Sequence, residues 1–411
     1  MANNVTPIPL LIARAKQYPI DPSLNESAQI LIAKAQANDP HRYALSEQEK
    51  RYLSHEWEYQ DECKKSALPK PTGQLRSLLK DVTEVFIAGG GGAGRALPSA
   101  INEATEFGLD LKKLKVVCAS SVGAIVGLGI AIGMPANRMG KVLNDMPTDT
   151  FQDWNWYSFV NFFTHWGWCQ GETMPNYFKK MIRDETGLED PTFLELYKAG
   201  YRKEFRVITA NVSKQRAAIF SYLKTPHEKV AKAVGLACSI PFVFPPHWVK
   251  NEKGELEAYT DGGLANNYPW GVGSSPSVPL HEQLGFIIIN NYGRSQPNEN
   301  TLASFWHYLR GLIVLLFSKD PLCLPANQKE RTVALTVNHN PLNFNASAKE
   351  QEELDEAGKI GVRRFARHLV KNKPELTKSS VLLPSFEALR HQNNMPVKPV
   401  VSPISTLRMR R

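Results

Sequence analysis

Cysteine is scarce: five residues in 411, at Cys63, Cys118, Cys169, Cys238 and Cys323, odd in number, scattered, and never in a CxxC pair. That pattern excludes a zinc knuckle or a dithiol redox motif and argues against a disulfide framework, so a reducing compartment is expected. No apolar run approaches the ~18 residues that a membrane span needs. The apolar stretch Ile8–Ala13 is followed at once by Arg14 and Lys16, too short for the core of a Sec signal peptide. The expected location is cytoplasmic or peripheral to a membrane, with a non-Sec export route left open. Internal repeats and low-complexity segments are absent, as are zinc-finger, RNA-recognition and homeodomain patterns, so nucleic acid is not an expected partner.

What remains is the composition of a globular chain with a sizeable core, 42% hydrophobic and 22% charged. Lysine and arginine number 49 against 40 acidic residues, a net charge of +9. Such a charge suits an anionic counterpart, whether a membrane surface, nucleic acid or an acidic partner, and a phosphate-bearing lipid surface explains it at least as well as nucleic acid.

Three regions are expected along the chain. Residues 1–80 read as a helical extension, with a capping box at Ser46-Glu47-Gln48-Glu49 and a break at Pro69, Pro71 and Gly73. Residues 81–372 alternate strand-like and helix-like runs: Val82–Ala88, Ala96–Phe107, Leu114–Cys118, Gly123–Ile132, Phe205–Ala210, Gly285–Asn290, Arg331–Val337, and a last helix from Ser347-Ala348-Lys349-Glu350 towards Val370. Such alternation predicts an α/β fold with a mostly parallel sheet covered by helices on both faces. Residues 373–411 form a proline-containing tail that ends basic at Arg408, Arg410 and Arg411.

Three motifs carry chemistry. Gly89-Gly90-Gly91-Gly92-Ala93-Gly94 lies between a strand and a helix. It fits a dinucleotide turn, an oxyanion loop or a bare tight turn. The dinucleotide option wants an acidic residue ending the second strand, whereas Asp110 precedes that strand. An oxyanion loop uses glycines so that amides and a helix N-terminus can approach a reacting carbonyl. Ala119-Ser120-Ser121-Val122-Gly123 has the form of a nucleophile elbow with alanine in the first glycine position, and Ser121, two residues before Gly123, is the candidate nucleophile. Its bland alternative is a serine that merely caps the following helix. Tyr259-Thr260-Asp261-Gly262-Gly263, continuing through Asn267 to Pro269, reads alone as a turn.

In this order, the three segments resemble the patatin-like phospholipase family. Ala237-Cys238-Ser239-Ile240-Pro241 with Phe244-Pro245-Pro246, Pro191–Leu196, and Glu356-Ala357-Gly358 add to the likeness, which runs from about Val82 to Val370. Two positions depart from the family pattern. Ala119 replaces the elbow glycine, and Ala93 stands where a basic residue is common, with Arg95 one step past Gly94.

The resemblance implies a three-layer α/β sandwich and a serine lipid acyl hydrolase of phospholipase A or lysophospholipase type. It implies a Ser121–Asp261 dyad, an oxyanion hole among Gly89, Gly90, Gly91, Gly92 and Gly94, and support from Ala119, Gly123, Gly262 and Gly263. No metal and no organic cofactor is implied. The partners it implies are a phospholipid or other fatty acyl ester, an anionic membrane surface, and an activating protein. A conventional triad would need a histidine after Asp261; His307, His339 and His368 qualify by order alone and are expected on element surfaces. Two other classes compete: a patatin-like scaffold that binds without turnover, and a nucleotide-dependent oxidoreductase built on the glycine run. The aromatic segment Phe151–Trp168 and the apolar Leu302–Phe317 are candidate lipid-facing flaps or core.

Overall fold

The computed structural model describes residues 76–146, 173–251, 253–290, 311 and 324–371. The expected N-terminal extension up to residue 75, the basic tail and the segment Phe151–Trp168 lie outside these residues, as does Leu302–Phe317 but for Gly311.

Among the described residues the chain folds around an eight-stranded sheet of order β5-β6-β3-β2-β1-β7-β8, with β4 also paired to β3. The strands are β1 (Glu84–Ile87), β2 (Val116–Ser120), β3 (Glu204–Asn211), β4 (Arg216–Phe220), β5 (His247–Lys250), β6 (Leu256–Asp261), β7 (Gln283–Asn290) and β8 (Thr332–Val337). β3, β2, β1, β7 and β8 run parallel. They are the continuous apolar runs, buried on both faces as a covered parallel sheet demands. The remaining three strands, β4, β5 and β6, pair antiparallel, so the sheet is mixed.

The principal helices are α1 (Ala96–Glu106), α2 (Val122–Ala131), α3 (Ala136–Asn144), α4 (Thr173–Thr186), α5 (Phe193–Lys198), α6 (Val230–Ala237) and α7 (Ala348–Lys371). Thr192 and Glu195 form a full capping box that starts α5, which accounts for the segment at Pro191–Leu196. Alternate strand residues divide the core. Val85, Ile87, Val117, Ala119, Val207, Phe286 and Leu335 pack with the long helices in the larger cluster. Phe86, Cys118, Ile208 and Ile287 face the other way, against Tyr268, Trp270 and Leu280. There Phe86 stacks on Trp270 at 4.8 Å between ring centroids. Among the described residues this second face is thus covered by the short stretch following Asp261.

One register relation positions the functional residues. β2 pairs with Glu204–Ile208 of β3 and stops at Ser120, opposite Ile208. β6 arrives from the opposite direction, pairs with Thr209–Asn211, and stops at Asp261, opposite Thr209. β4 occupies Val207–Asn211 from the far side, so β2 and β6 share one edge of β3 and meet end to end. The residue after Ser120 and the last residue of β6 are therefore neighbours, although 140 positions separate them in the chain.

Candidate active site

Ser121 is a one-residue turn between β2 and α2, at φ 52° and ψ −138°. Few non-glycine residues adopt a positive φ, and such a backbone stores about 1–3 kcal/mol that the surrounding structure must overcome. Gly123 makes the turn possible. A Cβ there would lie 2.5 Å from the Ala88 carbonyl oxygen and 2.7 Å from that of Ile87, so only glycine lets α2 start this close to β1. Ser121 stands at the N-cap position, yet its side chain makes no capping hydrogen bond. Its hydroxyl donates instead to Asp261 Oδ2 at 2.8 Å, which removes the reading of Ser121 as a mere cap.

Ala119, the departure from the family elbow, lies in regular β2 with its side chain fully buried. Its methyl group is accommodated because α2 carries glycine opposite it. A Cβ on Gly127 would sit 3.0 Å from the Ala119 Cβ and 2.9 Å from the Phe205 ring. The volume that β2 gains at Ala119 is thus absent from the facing helix.

Asp261 is buried, 1% exposed. Its Oδ1 accepts the Gly263 amide at 2.7 Å, which gives the second glycine of the Asp-Gly-Gly segment its place. The Asp261 amide donates to Ser239 O at 2.9 Å, and the Gly262 amide to Ala237 O. The Thr260 hydroxyl also donates to Ser239 O, at 2.6 Å. The Ser-Ile-Pro stretch upstream therefore pins the backbone that carries the carboxyl. Burial pushes the Asp261 carboxyl up to about 7, and the hydrogen bonds from the Gly263 amide and the Ser121 hydroxyl act in the opposite direction. A carboxylate titrating near neutrality, in contact with a strained serine hydroxyl, can accept a proton from it.

Cys238 is buried and faces the site: its thiol contacts Ser121 O at 3.2 Å. Burial and the neighbouring Asp261 charge hold this thiol well above its usual range, so it stays protonated.

The glycine loop follows β1. Gly91 has φ +55°, a conformation that glycine alone adopts freely. The Gly92 amide donates to Pro341 O at 2.7 Å and the Gly89 amide to Asn267 O at 3.0 Å. Those two N–H groups are committed to the fold, which corrects their inclusion among the oxyanion donors. The amides of Gly90 and Gly91 have no backbone acceptor among the described residues. Gly89 packs against Ser121, and Gly94 against Val122 at the start of α2. β2 ends at Ser120 rather than at an acidic residue, and Asp110 accepts the Lys112 amide in a turn, so the dinucleotide pattern is not met.

Arg95 is 8% exposed. It donates to Leu143 O and Asn144 Oδ1 at 2.7 Å each and to Phe344 O. It ties the end of α3 to the loop after β8. Leu143, Phe344 and Arg95 line a cleft shared with Gly91, Ser121, Ile125, Met174, Ile240 and Phe244. The wall is apolar except where Arg95 and Ser121 break it.

No histidine among the described residues touches Ser121 or Asp261. His339 is buried rather than on a surface: its ring hydrogen-bonds Asn343 O at 3.0 Å and lies 3.6 Å from Glu350. His368 is exposed on α7, and His307 lies outside the described residues. No group of three or more His, Cys, Asp or Glu side chains fit to hold a metal occurs among the described residues. No helix among them is long and apolar enough to cross a membrane.

Residues 85–272 match the model of the patatin-like phospholipase family. Protein R571 of Acanthamoeba polyphaga mimivirus is 25% identical over 289 residues, covering 69% of this chain and 93% of that protein. YqhO of Bacillus subtilis (strain 168) is 26% identical over 196 residues, covering 44% of this chain and 63% of YqhO, just under two thirds of its length. Among solved structures, VipD of Legionella pneumophila aligns at TM-score 0.46 and 15% identity, over 74% of this chain and 72% of VipD. The heterodimeric ExoU–SpcU complex of Pseudomonas aeruginosa aligns at TM-score 0.43 and 18% identity, over 71% of this chain and 52% of the matched chain. What this chain shares with these proteins is a patatin-like phospholipase domain matched over residues 85–272.

Proposed function

We propose that this protein cleaves fatty acyl esters of phospholipids through a Ser121–Asp261 dyad and an acyl-enzyme. The observation that carries the reading is the 2.8 Å hydrogen bond from the Ser121 hydroxyl to Asp261 Oδ2. Serine is a weak nucleophile until a base takes its proton, and Asp261 is the group that accepts the hydrogen bond of the Ser121 hydroxyl.

In the acylation half, Ser121 Oγ bonds to the ester carbonyl carbon while its proton passes to Asp261. The Gly90 and Gly91 amides, aided by the start of α2, hold the oxyanion. Collapse breaks the bond to the alcohol, which leaves with the proton from Asp261. In the deacylation half, water bonds to the acyl carbon and gives a proton to Asp261. The bond to Ser121 Oγ breaks, Oγ recovers that proton, and a free fatty acid departs. Neither a metal nor an organic cofactor takes part in this scheme.

The apolar wall of the cleft suits an acyl chain, since each buried methylene contributes about 0.8 kcal/mol. Phe242 stands 43% exposed, between Ile240 and Phe244, which line the cleft. An exposed aromatic at that rim and a net charge of +9 favour work at an anionic membrane surface. The accommodation of Ala119 by Gly127 weakens the reading of an inactive scaffold.

The test is fatty-acid release from mixed anionic phospholipid vesicles by the wild type, Ser121→Ala and Asp261→Asn, each with and without cell lysate. Release by the wild type alone supports the dyad, and dependence on lysate adds an activating partner. Turnover retained by either variant, or no release under any condition, sinks the scheme.

A further inference from the structure

Thr209 is the residue opposite Asp261 in the β3–β6 ladder. In an antiparallel pair, facing residues alternate between hydrogen-bonded and non-hydrogen-bonded positions, and side chains come closest at the second kind. The Asp261 amide points away from β3, to Ser239 O. Three residues back along β6, Ala258 O accepts the Val212 amide from the β3 side. The alternation makes Thr209–Asp261 a non-hydrogen-bonded pair, with both side chains on one face and Cβ atoms about 5 Å apart. Thr209 is fully buried. Its Oγ1 is a buried hydroxyl that makes no hydrogen bond among the described residues. A buried hydroxyl without a partner is costly and rare in a native protein, and this one faces the carboxyl of the dyad.

Resting on the dyad reading, we propose that Thr209 is a positioning residue that donates its hydroxyl hydrogen to the Asp261 carboxylate while Ser121 is esterified. In the resting site Oδ2 takes the Ser121 hydroxyl and Oδ1 the Gly263 amide. Acylation replaces the Ser121 O–H with an ester oxygen that has no hydrogen to give. Asp261 must then regain its negative charge to activate water, with one donor fewer than before. Each carboxylate oxygen accepts more than one hydrogen bond, and a rotation about the Thr209 side chain brings its O–H to the vacated position. Thr209 moves no proton. It holds the charged form of Asp261 through the second half of the reaction.

The experiment follows a soluble chromogenic acyl ester by stopped flow, across pH, with the wild type, Thr209→Val and Thr209→Ser. Valine keeps the shape and removes the hydroxyl, whereas serine keeps the hydroxyl. The expected result for Thr209→Val is a burst of alcohol product with unchanged acylation and deacylation about tenfold slower, the scale of one hydrogen bond to a charged group. A donor to the carboxylate favours its charged form, so its loss moves the acid limb of deacylation upward by about one pH unit. Thr209→Ser should restore both. The proposal falls if Thr209→Val matches the wild type in deacylation rate and pH midpoint. It also falls if acylation and deacylation drop together at an unchanged midpoint, or if serine fails as valine does. Ser121→Ala and Asp261→Asn in the same assay keep the two levels apart. Their inactivity beside a wild-type-like Thr209→Val overturns the role of Thr209 alone, and their activity overturns the dyad.

Discussion

Asp261→Asn should make the protein inactive and, above neutral pH, more stable. The carboxyl is fully enclosed, and burial pushes it up to about 7. In the unfolded chain the same group titrates near the ordinary aspartate value of about 3.9. Between those two values the native state holds a proton that the unfolded state has released. Stability therefore falls as pH rises through this window and levels off above about 7. A separation of about three pH units at about 1.4 kcal/mol each gives a cost of about 4 kcal/mol for keeping Asp261 charged inside the fold. Asparagine has the same shape, carries no charge at any pH, and still offers an oxygen to the Gly263 amide.

Wild type and Asp261→Asn should thus be equally stable within about 1 kcal/mol near pH 4.5. Their curves should separate through pH 6 and 7, and the variant should lead by up to about 4 kcal/mol at pH 8.5. For a domain of this size that lead is a rise in Tm on the order of 5 °C. Denaturation of both proteins at four pH values measures it, since titrations elsewhere in the chain cancel in the difference. The kcat/KM of the wild type should rise along the same titration, with its midpoint near 7, because only the carboxylate can take the Ser121 proton. A variant no more stable than wild type at pH 8.5, or a stability difference that does not vary with pH, refutes the argument that the site stores an unfavourable charge.

Ser121→Gly and Ser121→Ala should both abolish turnover, but glycine relieves the φ of 52° that alanine retains, so its Tm should be higher by the equivalent of about 1 kcal/mol. Gly127→Ala should destabilise by roughly 1–3 kcal/mol through overpacking against Ala119 and Phe205. Adding Ala119→Gly should recover part of that loss, and a double-mutant cycle in denaturant with no coupling between the two would contradict the compensation. Arg95→Met should cost about 2 kcal/mol by releasing the Leu143 and Phe344 carbonyls. By loosening two walls of the cleft it should also flatten the dependence of KM on acyl chain length, measured with a series of esters.

The sequence makes the parallel half of the sheet readable because those strands are buried on both faces. Phe286–Ile289 and Val116–Cys118 are unbroken apolar runs of strand length. The antiparallel half does not announce itself. Arg216–Phe220 and Leu256–Asp261 mix small, polar and charged residues at strand length, and an aspartate followed by two glycines reads locally as a turn. Yet β6 is the strand that delivers Asp261. Ser121 and Asp261 emerged as a pair through likeness to a family, since their proximity depends on β2 and β6 sharing an edge of β3, a fact of register with no local signature. Where tertiary packing decides the environment, local pattern falls short: His339 reads as surface but lies buried behind the glycine loop, and Thr209 sits unmarked inside the apolar run Phe205–Ala210. Thr209 takes its environment from its partner strand β6, and the glycine loop that packs on His339 lies far from it along the chain. The elbow and the glycine loop were legible for the opposite reason, since backbone that must bend sharply between a strand and a helix requires small residues at fixed places, and that requirement is local.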